Sequence, residues 1–264
     1  MAGFRRAAEF GVISSSQRVL ELMRARQPID EPPTLDRLTD AASDARQATM
    51  GHRVFLAIKR AIVHGRLVPG HPVSEAELAR QLGVSRQPVR EAFIKLSDMG
   101  LVEIRPQRGT FVRRISQREV ENARFLREAI ETAIARRAAQ DATPDSVGPL
   151  WQIIDEQERC GSLPDQVRFL ALDDALHQAI ARLADCERGW RVIEDLKAQM
   201  DRVRFLSIAS ATPAETIVVQ HRDLVSAIAQ NGPDAAEIAM RHHLREMLKS
   251  LPVVVAHNPD AFED

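Results

Sequence analysis

The chain has 264 residues, enough for one large domain or two medium ones with buried cores, and its 44% apolar and 28% charged residues are ordinary for a globular protein. Aromatic residues are scarce, with nine Phe, two Trp and no Tyr, which argues against a stacking platform for single-stranded nucleic acid. The net charge of −1 hides an asymmetry, because residues 50–115 hold 12 Lys and Arg against 5 Asp and Glu whereas the remainder is acidic, so only the first part is expected to contact phosphate.

The cysteines and the lengths of the apolar runs indicate the cellular compartment. Cys160 and Cys186 are far apart and lack CxxC spacing, which favours two free thiols in a reducing cytosol over a disulfide. No apolar run approaches the roughly 20 residues that span a bilayer, and Arg5 and Arg6 are not followed by the apolar core of a signal peptide. We therefore expect a cytoplasmic protein without a membrane partner.

Residues 1–49 form an N-terminal extension with little signal. The apolar residues at 19–23 fit one or two amphipathic turns, and the prolines at 28, 32 and 33 end them. The segment is either a flexible arm, a partner-binding helix or the product of a start upstream of the real one. In each case it is expected to gain order only by packing on something else.

The next segment begins with a helix predicted over Met50–Val63. Gly65 ends this helix, and Pro69-Gly70 turns the chain. Its apolar face is formed by Val54, Phe55, Ile58, Ala61 and Ile62.

Two short helices with a tight turn are predicted to follow. Ser74 and Glu77 are expected to form a capping box at the start of the first, and Gly83 ends it in the left-handed conformation. Ser85 then caps the second helix. The inner face of this helix carries the apolar residues Val89, Ala92, Phe93 and Leu96. The outer face at its N-terminal end offers Ser85, Arg86, Gln87 and Arg90. This arrangement describes a helix-turn-helix.

A β-hairpin is predicted after these helices. Leu101–Ile104 and Thr110–Val112 are β-prone, and the Pro-Gln-Arg-Gly stretch between them has turn chemistry. Arg105 and Arg108 would lie near the tip beside Gly109, where a cation reaches phosphates or a minor groove. An unrelated helical pair with a solvated charged face is the alternative, but cap, turn, basic helix and hairpin occur here in one order.

These residues carry a resemblance to a known family. The stretch GRLVPGHPVSEAELARQLGVSRQPVREAFIKLSDMGLVEIRPQRGTFV closely resembles the winged-helix domain of GntR-family bacterial transcription regulators. The resemblance implies a winged helix-turn-helix domain over residues 50–114 that binds double-stranded DNA, where Arg can bond guanine O6 and N7 together. The expected DNA contacts are Ser85, Arg86, Gln87, Arg90, Arg105, Arg108 and Gly109.

Everything beyond a short linker is predicted to be helical. Ser116 caps a first helix, and five more are predicted over about 144–159, 164–183, 187–209, 213–229 and 233–251, with Pro near starts and Gly or Pro after ends. Six helices with short connections indicate an antiparallel bundle over residues 115–252 and a C-terminal tail over 253–264. The predicted fold class is mainly α, an N-terminal winged helix-turn-helix plus a C-terminal six-helix antiparallel bundle.

Three histidines and one carboxylate of the bundle are candidate metal ligands. Asp173 and His177 are spaced i, i+4, so they project from one face of the third helix of the bundle. His221 and His243 lie on the fifth and sixth helices. Together they would suit zinc, nickel or manganese, with positions left for water or a ligand carboxylate. Spacing alone favours the alternative, separate polar residues each satisfied by a local hydrogen bond.

A second resemblance covers these residues. The segments FLALDDALHQAI, QHRDLVSAI and AMRHHL are similar to the FCD effector-binding and dimerisation domain of the FadR-type branch of GntR regulators. It implies a divalent metal held by Asp173, His177, His221 and His243. His242 is turned roughly 100° around the helix from His243 and is not expected to be a ligand. The predicted six helices look more like the VanR-type subgroup than the seven-helix one.

Arg127 and Glu131 match the R-x-x-x-E of the same family. A lone i, i+4 pair is normally a surface salt bridge worth a few tenths of a kcal/mol. In the resembling proteins the Arg commonly faces the pocket and pairs with an acidic effector, a role that suits a planar guanidinium. The family often has Gly-Asn after the D-x-x-x-H helix, but this chain has Asp185-Cys186, so no contact by that Asn is carried over.

The leading hypothesis is a ligand-responsive transcription regulator, not an enzyme. Two copies would read a palindromic operator, and a small carboxylate effector in the bundle would shift the winged domains. One alternative is a metal-dependent hydrolase or lyase that uses the His/Asp cluster, although no nucleophile motif or obvious general base accompanies it. The other is a constitutive DNA-binding protein whose metal is structural.

Overall fold

Helix α1 starts the part of the chain that the structure describes. The computed structural model describes residues 49–160 and 165–263, so the prediction for the N-terminal extension lies outside these residues, except for Thr49, which caps α1. The first domain consists of α1 (Met50–Val63), β1 (Pro72–Val73), α2 (Glu75–Gln81), α3 (Arg86–Asp98), β2 (Val102–Arg105) and β3 (Gly109–Val112).

The helices of this domain pack around one apolar core. Val54, Ile58 and Ile62 repeat at spacings of four and form the buried stripe of α1. Val89 and Phe93 present the matching stripe of α3. The opposite face of α3 is exposed at its start, where it carries the Arg86, Gln87 and Arg90 side chains.

Helix ends follow the predicted signals with two corrections. Ser85 is at the N-cap of α3, but its side chain makes no capping hydrogen bond, and the second correction concerns α2. Gly83 has φ of 65° and ends α2 as expected. Ser74 caps α2 by accepting a hydrogen bond from the Glu77 N–H at 3.4 Å, but the Glu77 carboxylate does not complete the reciprocal capping box. It accepts instead from Arg80 and Gln81, since two charged or amide donors lie one turn further along the helix.

The hairpin is joined by a strand that the sequence analysis did not predict. β2 and β3 pair antiparallel, with Val102 opposite Val112, and β1 pairs on the other side of β3, with Pro72 opposite Phe111. The order is β1-β3-β2. Pro72 is tolerated because this short strand is at the edge of the sheet.

The second domain is an antiparallel helical bundle. Its helices are α4 (Gln117–Gln140), α5 (Pro144–Arg159), α6 (Gln166–Leu183), α7 (Glu187–Leu196), α8 (Ala198–Ser210), α9 (Ala214–Ala229) and α10 (Pro233–His257). Ser116 caps α4 as predicted, accepting from the Glu119 N–H at 3.3 Å. None of the helices in the two described ranges has the length and apolar character that crossing a bilayer requires.

The bundle differs from the prediction in its helix count. The helix predicted over about 187–209 is divided at Lys197, so the described residues of the bundle contain seven helices rather than six. The division lets each half serve a different core, because Trp190 and Ile193 of α7 pack into the bundle while Ala198 of α8 packs into the first domain. The prediction of six helices was the reason for the resemblance to the VanR-type subgroup, and seven helices no longer support it.

The predicted C-terminal tail is also structured. α10 continues through Pro252 to His257, a 3-10 turn follows over Pro259–Ala261, and β5 (Phe262–Glu263) pairs in parallel with β4 (Ile115–Ser116). Phe262 is 6% exposed and packs with Ile115. Burial of this aromatic ring against the linker gives the tail a fixed position that local sequence signals did not reveal.

Candidate functional site

The start of α3 presents an exposed polar face. Ser85 occupies the N-cap position but its hydroxyl makes no capping bond, so it is available to other partners. Gln87 donates to Glu91 at 3.0 Å, and Arg90 forms an ion pair with Glu75 at 3.1 Å. Arg86 has no ion-pair partner among the described residues. These side chains are already exposed, so this face can contact a DNA groove or a phosphate without a conformational change.

The tip of the hairpin is similarly exposed. Arg108 N–H donates to the Arg105 carbonyl at 3.0 Å and closes the turn. Gly109 has φ of 98° and Gln107 has φ of 60°, which makes the turn narrow. The Arg105 guanidinium lies 4.7 Å from the centre of the Phe111 ring and pairs with Glu103, so it is held outside the sheet but close to it.

The structure brings Asp173, His177, His221 and His243 together inside the bundle. Their candidate ligand atoms all lie within 4.8 Å of one another, and all four residues are buried. The Nε2 atoms of His177 and His243 are 3.2 Å apart, and His221 Nε2 is 3.4 Å from an Asp173 oxygen. His242, in contrast, is exposed on the other side of α10, as predicted.

Three side chains orient the imidazoles, a role that sequence reasoning missed for each of them. Glu131 contacts His177 Nδ1, and the side-chain carbonyl of Gln157 accepts from His221 Nδ1 at 2.8 Å. Gln220 in the same way accepts from His243 Nδ1 at 3.1 Å. Acceptors at all three Nδ1 atoms favour the tautomer whose proton is on Nδ1 and whose Nε2 lone pair faces the centre.

Electrostatics favour the neutral forms of His221 and His243 and the charged forms of Asp173 and Glu131. Burial lowers the pKa of His221 to about 4, although Asp173 opposes this, and burial with the neighbouring His221 and His177 lowers the pKa of His243 well below its ordinary value. Burial alone would raise the pKa of Asp173, but the Arg204 charge and the imidazoles hold it below its usual range. Burial alone would also raise the pKa of Glu131, but the Arg127 charge and the hydrogen-bonded His177 imidazole lower this pKa to about 2.

The chemistry of these residues fits a divalent cation. Three imidazole nitrogens and one carboxylate converge, and the buried Nε2 of His221 has no hydrogen-bond partner among the described residues. Buried polar atoms normally have partners, and a cation held between these four residues would supply one for the His221 nitrogen. The expectation that each polar residue is satisfied by a local hydrogen bond therefore does not hold for His221.

Arg127 lies beside the cluster and is 2% exposed, so the Arg127–Glu131 pair is buried and is not a surface salt bridge. Its Nε donates to Glu131, which in turn contacts His177, whereas its buried Nη2 has no partner among the described residues. A free guanidinium N–H and the imidazole cluster are thus connected through one carboxylate.

A cavity adjoins both features and holds about 550 Å³, its mouth included. Arg127, Asp173 and His243 contribute to its wall. The polar lining is completed by Arg124, Arg204, Ser207, Thr212, Glu246 and Ser250. Asp185 and Cys186, where the family often has Gly-Asn, are not part of this lining.

Arg204 is a further residue that sequence reasoning missed. Its guanidinium pairs with Asp173 and also donates to Asp174 at 3.0 Å and Asp201 at 2.9 Å. No spacing signal links Arg204 on α8 to the D-x-x-x-H pair on α6, so only the packing of the two helices reveals the contact.

Comparisons with known proteins give the same two-domain organisation. The model of bacterial regulatory proteins of the gntR family matches residues 51–112, and the FCD domain model matches residues 123–246. The HTH-type transcriptional repressor RspR of Escherichia coli (strain K12) is 42% identical over 215 residues, which are 81% of this chain and 94% of the relative. An HTH-type transcriptional regulator in an unstable DNA locus of Streptomyces ambofaciens is 34% identical over 209 residues, 79% of this chain and 88% of the relative.

Solved structures share the fold. E. coli McbR/YncC superposes with a TM-score of 0.67 at 19% identity, over 76% of this chain and 96% of that chain. A GntR transcriptional regulator from Rhodococcus sp. RHA1 superposes with a TM-score of 0.63 at 21% identity, over 78% of this chain and 98% of that chain. Two matching domain models and a relative at 42% identity across nearly its whole length establish descent, and the chain belongs to the gntR family of bacterial regulatory proteins, in the branch that carries an FCD domain.

Proposed function

We propose that this DNA-binding regulator senses a small carboxylate in a metal-containing cavity of its helical domain. That a chain of this family binds DNA and responds to a small-molecule effector follows from the two domains. The observation that supports the finer proposal is the convergence of three imidazole Nε2 atoms, the Asp173 carboxylate and the free Arg127 Nη2 beside one cavity.

The metal would be held by Asp173, His177, His221 and His243. Zinc, nickel and manganese accept this mixture of nitrogen and oxygen donors. A divalent cation bound there would supply a Lewis acid that attracts a ligand carboxylate. The cavity itself contributes shape and charge, since the guanidinium groups of Arg124, Arg127 and Arg204 outnumber the carboxylates of Asp173 and Glu246 in its wall.

The DNA contacts are proposed to come from α3 and the hairpin. Arg86 and Arg90 would contact base edges and phosphates in a major groove, with Ser85 and Gln87 beside them. Arg105, Arg108 and Gly109 would follow the adjacent backbone or minor groove. The exposure of all seven residues supports this assignment.

Replacement of Arg127 by Ala is expected to weaken the response to an acidic effector by about 10-fold or more, because a charge-assisted hydrogen bond to a buried guanidinium is worth roughly 1.5–3 kcal/mol. The measurement is a thermal-shift titration with three- to six-carbon mono-, di- and tricarboxylates, with and without chelator. Basal affinity for DNA should stay unchanged.

The matched control for this change is Arg137→Ala, which removes an exposed guanidinium from the same helix. Its titration curve should coincide with that of the unmodified protein. Equal loss of effector response and DNA affinity in Arg127→Ala would show a folding role instead. If no carboxylate shifts the unmodified protein and DNA affinity is constant, the constitutive alternative replaces the proposal.

A second copy of the chain is proposed to cover the outer face of α4. Phe125 is 62% exposed and Leu126 41% exposed, and the exposed Ala129 and Ala133 continue the same face at helical spacing. An aromatic side chain at the centre of an exposed apolar strip is typical of an interface. Two-fold symmetry would then place two winged domains on a palindromic operator.

Phe125→Glu is expected to shift the chain from dimer towards monomer, with the dissociation constant raised about 30-fold or more, since a buried aromatic anchor typically contributes about 2 kcal/mol or more. Sedimentation equilibrium measures this change. Val219→Glu, on the exposed face of α9 at 57% exposure, is the control and should leave the dimer intact. A monomeric unmodified protein, or an undisturbed Phe125→Glu dimer, contradicts this interface.

The other functional proposals rest on the family relation. The chain is proposed to be a repressor in the cytoplasm, where its DNA would be, and RspR is named a transcriptional repressor. The relatives RspR and the Streptomyces protein are named transcriptional regulators, which favours a regulator over a metal-dependent enzyme. A reporter gene placed behind its operator distinguishes repression, where deletion of the regulator raises expression, from activation, where deletion lowers it.

A further inference from the structure

Helix α8 belongs to both domains at once. Ala198, at its start, is 2% exposed and lies in the apolar core of the winged domain. Met200, Arg204 and Ser207, further along the same helix, line the cavity. A helix rises about 1.5 Å per residue and bends little over three turns. One stiff segment of 13 residues therefore extends from the core that supports α3 to the wall of the effector cavity.

The winged-domain end of α8 contacts the end of α3, which we call the recognition helix because it carries the proposed base contacts, through one hydrogen bond. Gln199 Nε2 donates to the carbonyl of Gly100 at 2.5 Å. Gly100 follows the C-cap of α3 and has φ of 67°, so this carbonyl lies where the recognition helix ends. Arg202, only 2% exposed, donates to the Gln199 side-chain oxygen at 3.0 Å and thereby fixes which end of the amide faces Gly100.

The cavity end of α8 is tied to α6 by buried ion pairs. Arg204 pairs with Asp173 and Asp174 of α6 and with Asp201 of its own helix. Lys197, just before the start of α8, lies with its Nζ 2.7 Å from oxygens of both Asp174 and Asp201. Buried charges of this kind must be paired, so a lost partner forces the remaining groups to rearrange. The position of α8 along α6 is consequently set by the acceptors of Arg204 and Lys197, which share Asp174.

We propose that α8 couples the cavity to the recognition helix. A ligand carboxylate in the cavity competes with Asp173 and Asp174 for the N–H groups of Arg204, because this guanidinium is part of the cavity wall. Loosening of this tie moves α8 relative to α6, and Gln199 passes the movement to the carbonyl of Gly100. Arg204 is the responding group and Gln199 a positioning residue that contacts neither ligand nor DNA. The inference rests on the proposed effector cavity and specifies how that cavity reaches the DNA-binding surface.

Amide hydrogen exchange of the full-length protein tests the coupling without ligand or DNA. The amides of Gly100 and Leu101 donate to Ser97 and Leu96 at 2.9 Å each and report on the end of α3. Gln199→Met, which keeps length and removes the donor, is expected to raise their exchange rates about tenfold. Arg204→Met should raise the same rates about threefold or more, and this second rise should vanish when Gln199 is already Met.

Two further variants make the result decisive. Gln140→Met, on the exposed end of α4, is the control, and the Arg204 effect should persist in its background. If Arg204→Met fails to fold by circular dichroism, Arg204→Lys takes its place, since an ammonium keeps the charge but loses the planar fork. Independent, multiplicative rate changes for the Gln199 and Arg204 variants, or no change at Gly100 in a folded Arg204 variant, overturn the coupling.

Binding of the same variants to duplexes selected from a random pool separates this inference from the function it rests on. Proteins that bind these duplexes but show independent exchange effects leave the regulator standing without the α8 route. An unmodified protein whose selected duplexes are not released by any carboxylate, but whose exchange effects are interdependent, contradicts the effector proposal and retains the mechanical coupling.

Discussion

Replacement of His221 by Ala is expected to lower the affinity for a divalent metal by about 100-fold or more. Four-ligand zinc sites bind with roughly 10–16 kcal/mol, so loss of one ligand of four costs about 3 kcal/mol. His221 is the clearest choice because its Nε2 is buried, faces Asp173 and has no other partner among the described residues. Elemental analysis of gently purified protein, and competition with a chromophoric chelator, measure the loss.

Two matched variants define this result. His242→Ala changes the exposed histidine next to His243 and should retain the full metal content. Gln157→Ala removes only the acceptor at His221 Nδ1, and loss of such an outer partner is expected to cost about 10- to 100-fold in affinity. An unmodified protein that neither contains metal nor binds added zinc, nickel or manganese contradicts the ligand assignment.

Arg86→Ala is expected to cost about 1–3 kcal/mol of specific DNA binding, or roughly 5- to 150-fold in affinity. Arg86 is expected to have this effect because it is exposed in the first turn of α3 and has no ion-pair partner among the described residues. Arg90, in contrast, forms an ion pair with Glu75. Fluorescence anisotropy with duplexes that the unmodified protein selects from a random pool measures the loss.

The comparison with other arginines separates base reading from general charge. Arg108→Ala should weaken binding to all duplexes about equally and reduce the salt dependence by about one ion, as expected for a backbone contact. Arg191→Ala, exposed on α7 in the acidic domain, should have no effect. Unchanged affinity of Arg86→Ala for the selected duplexes contradicts the docking of α3 in a major groove.

Local signals were sufficient for much of the fold. α1 and α5 have the predicted bounds, and Gly83 and Ser116 end and cap helices as expected. These features depend on residues within one helical turn of each other, where backbone preferences and caps act independently of the rest of the chain. The Ser74–Glu77 capping box was only half right, since Arg80 and Gln81 competed for the carboxylate.

The metal cluster shows the limit of spacing. Asp173 and His177 lie one turn apart on one helix, so their common face follows from the sequence. Their approach to His221 and His243 depends on how three helices pack, and spacing alone favoured separate residues. The resemblance to the family identified the four, but Glu131, Gln157 and Gln220 at the Nδ1 atoms appeared only with the fold.

The sequence by itself determined a basic winged domain with exposed arginines at the start of α3, a helical second domain, and one Asp-His pair on a shared helix face. Only the tertiary structure decided the break at Lys197, the docked C-terminal strand and the contact of Arg204 with Asp173. The physical reason is the sequence separation over which each interaction acts. Caps, turns and helix faces depend on neighbours within a few residues, whereas a buried carboxylate or an orphaned imidazole acquires its partner from whichever helix packs beside it.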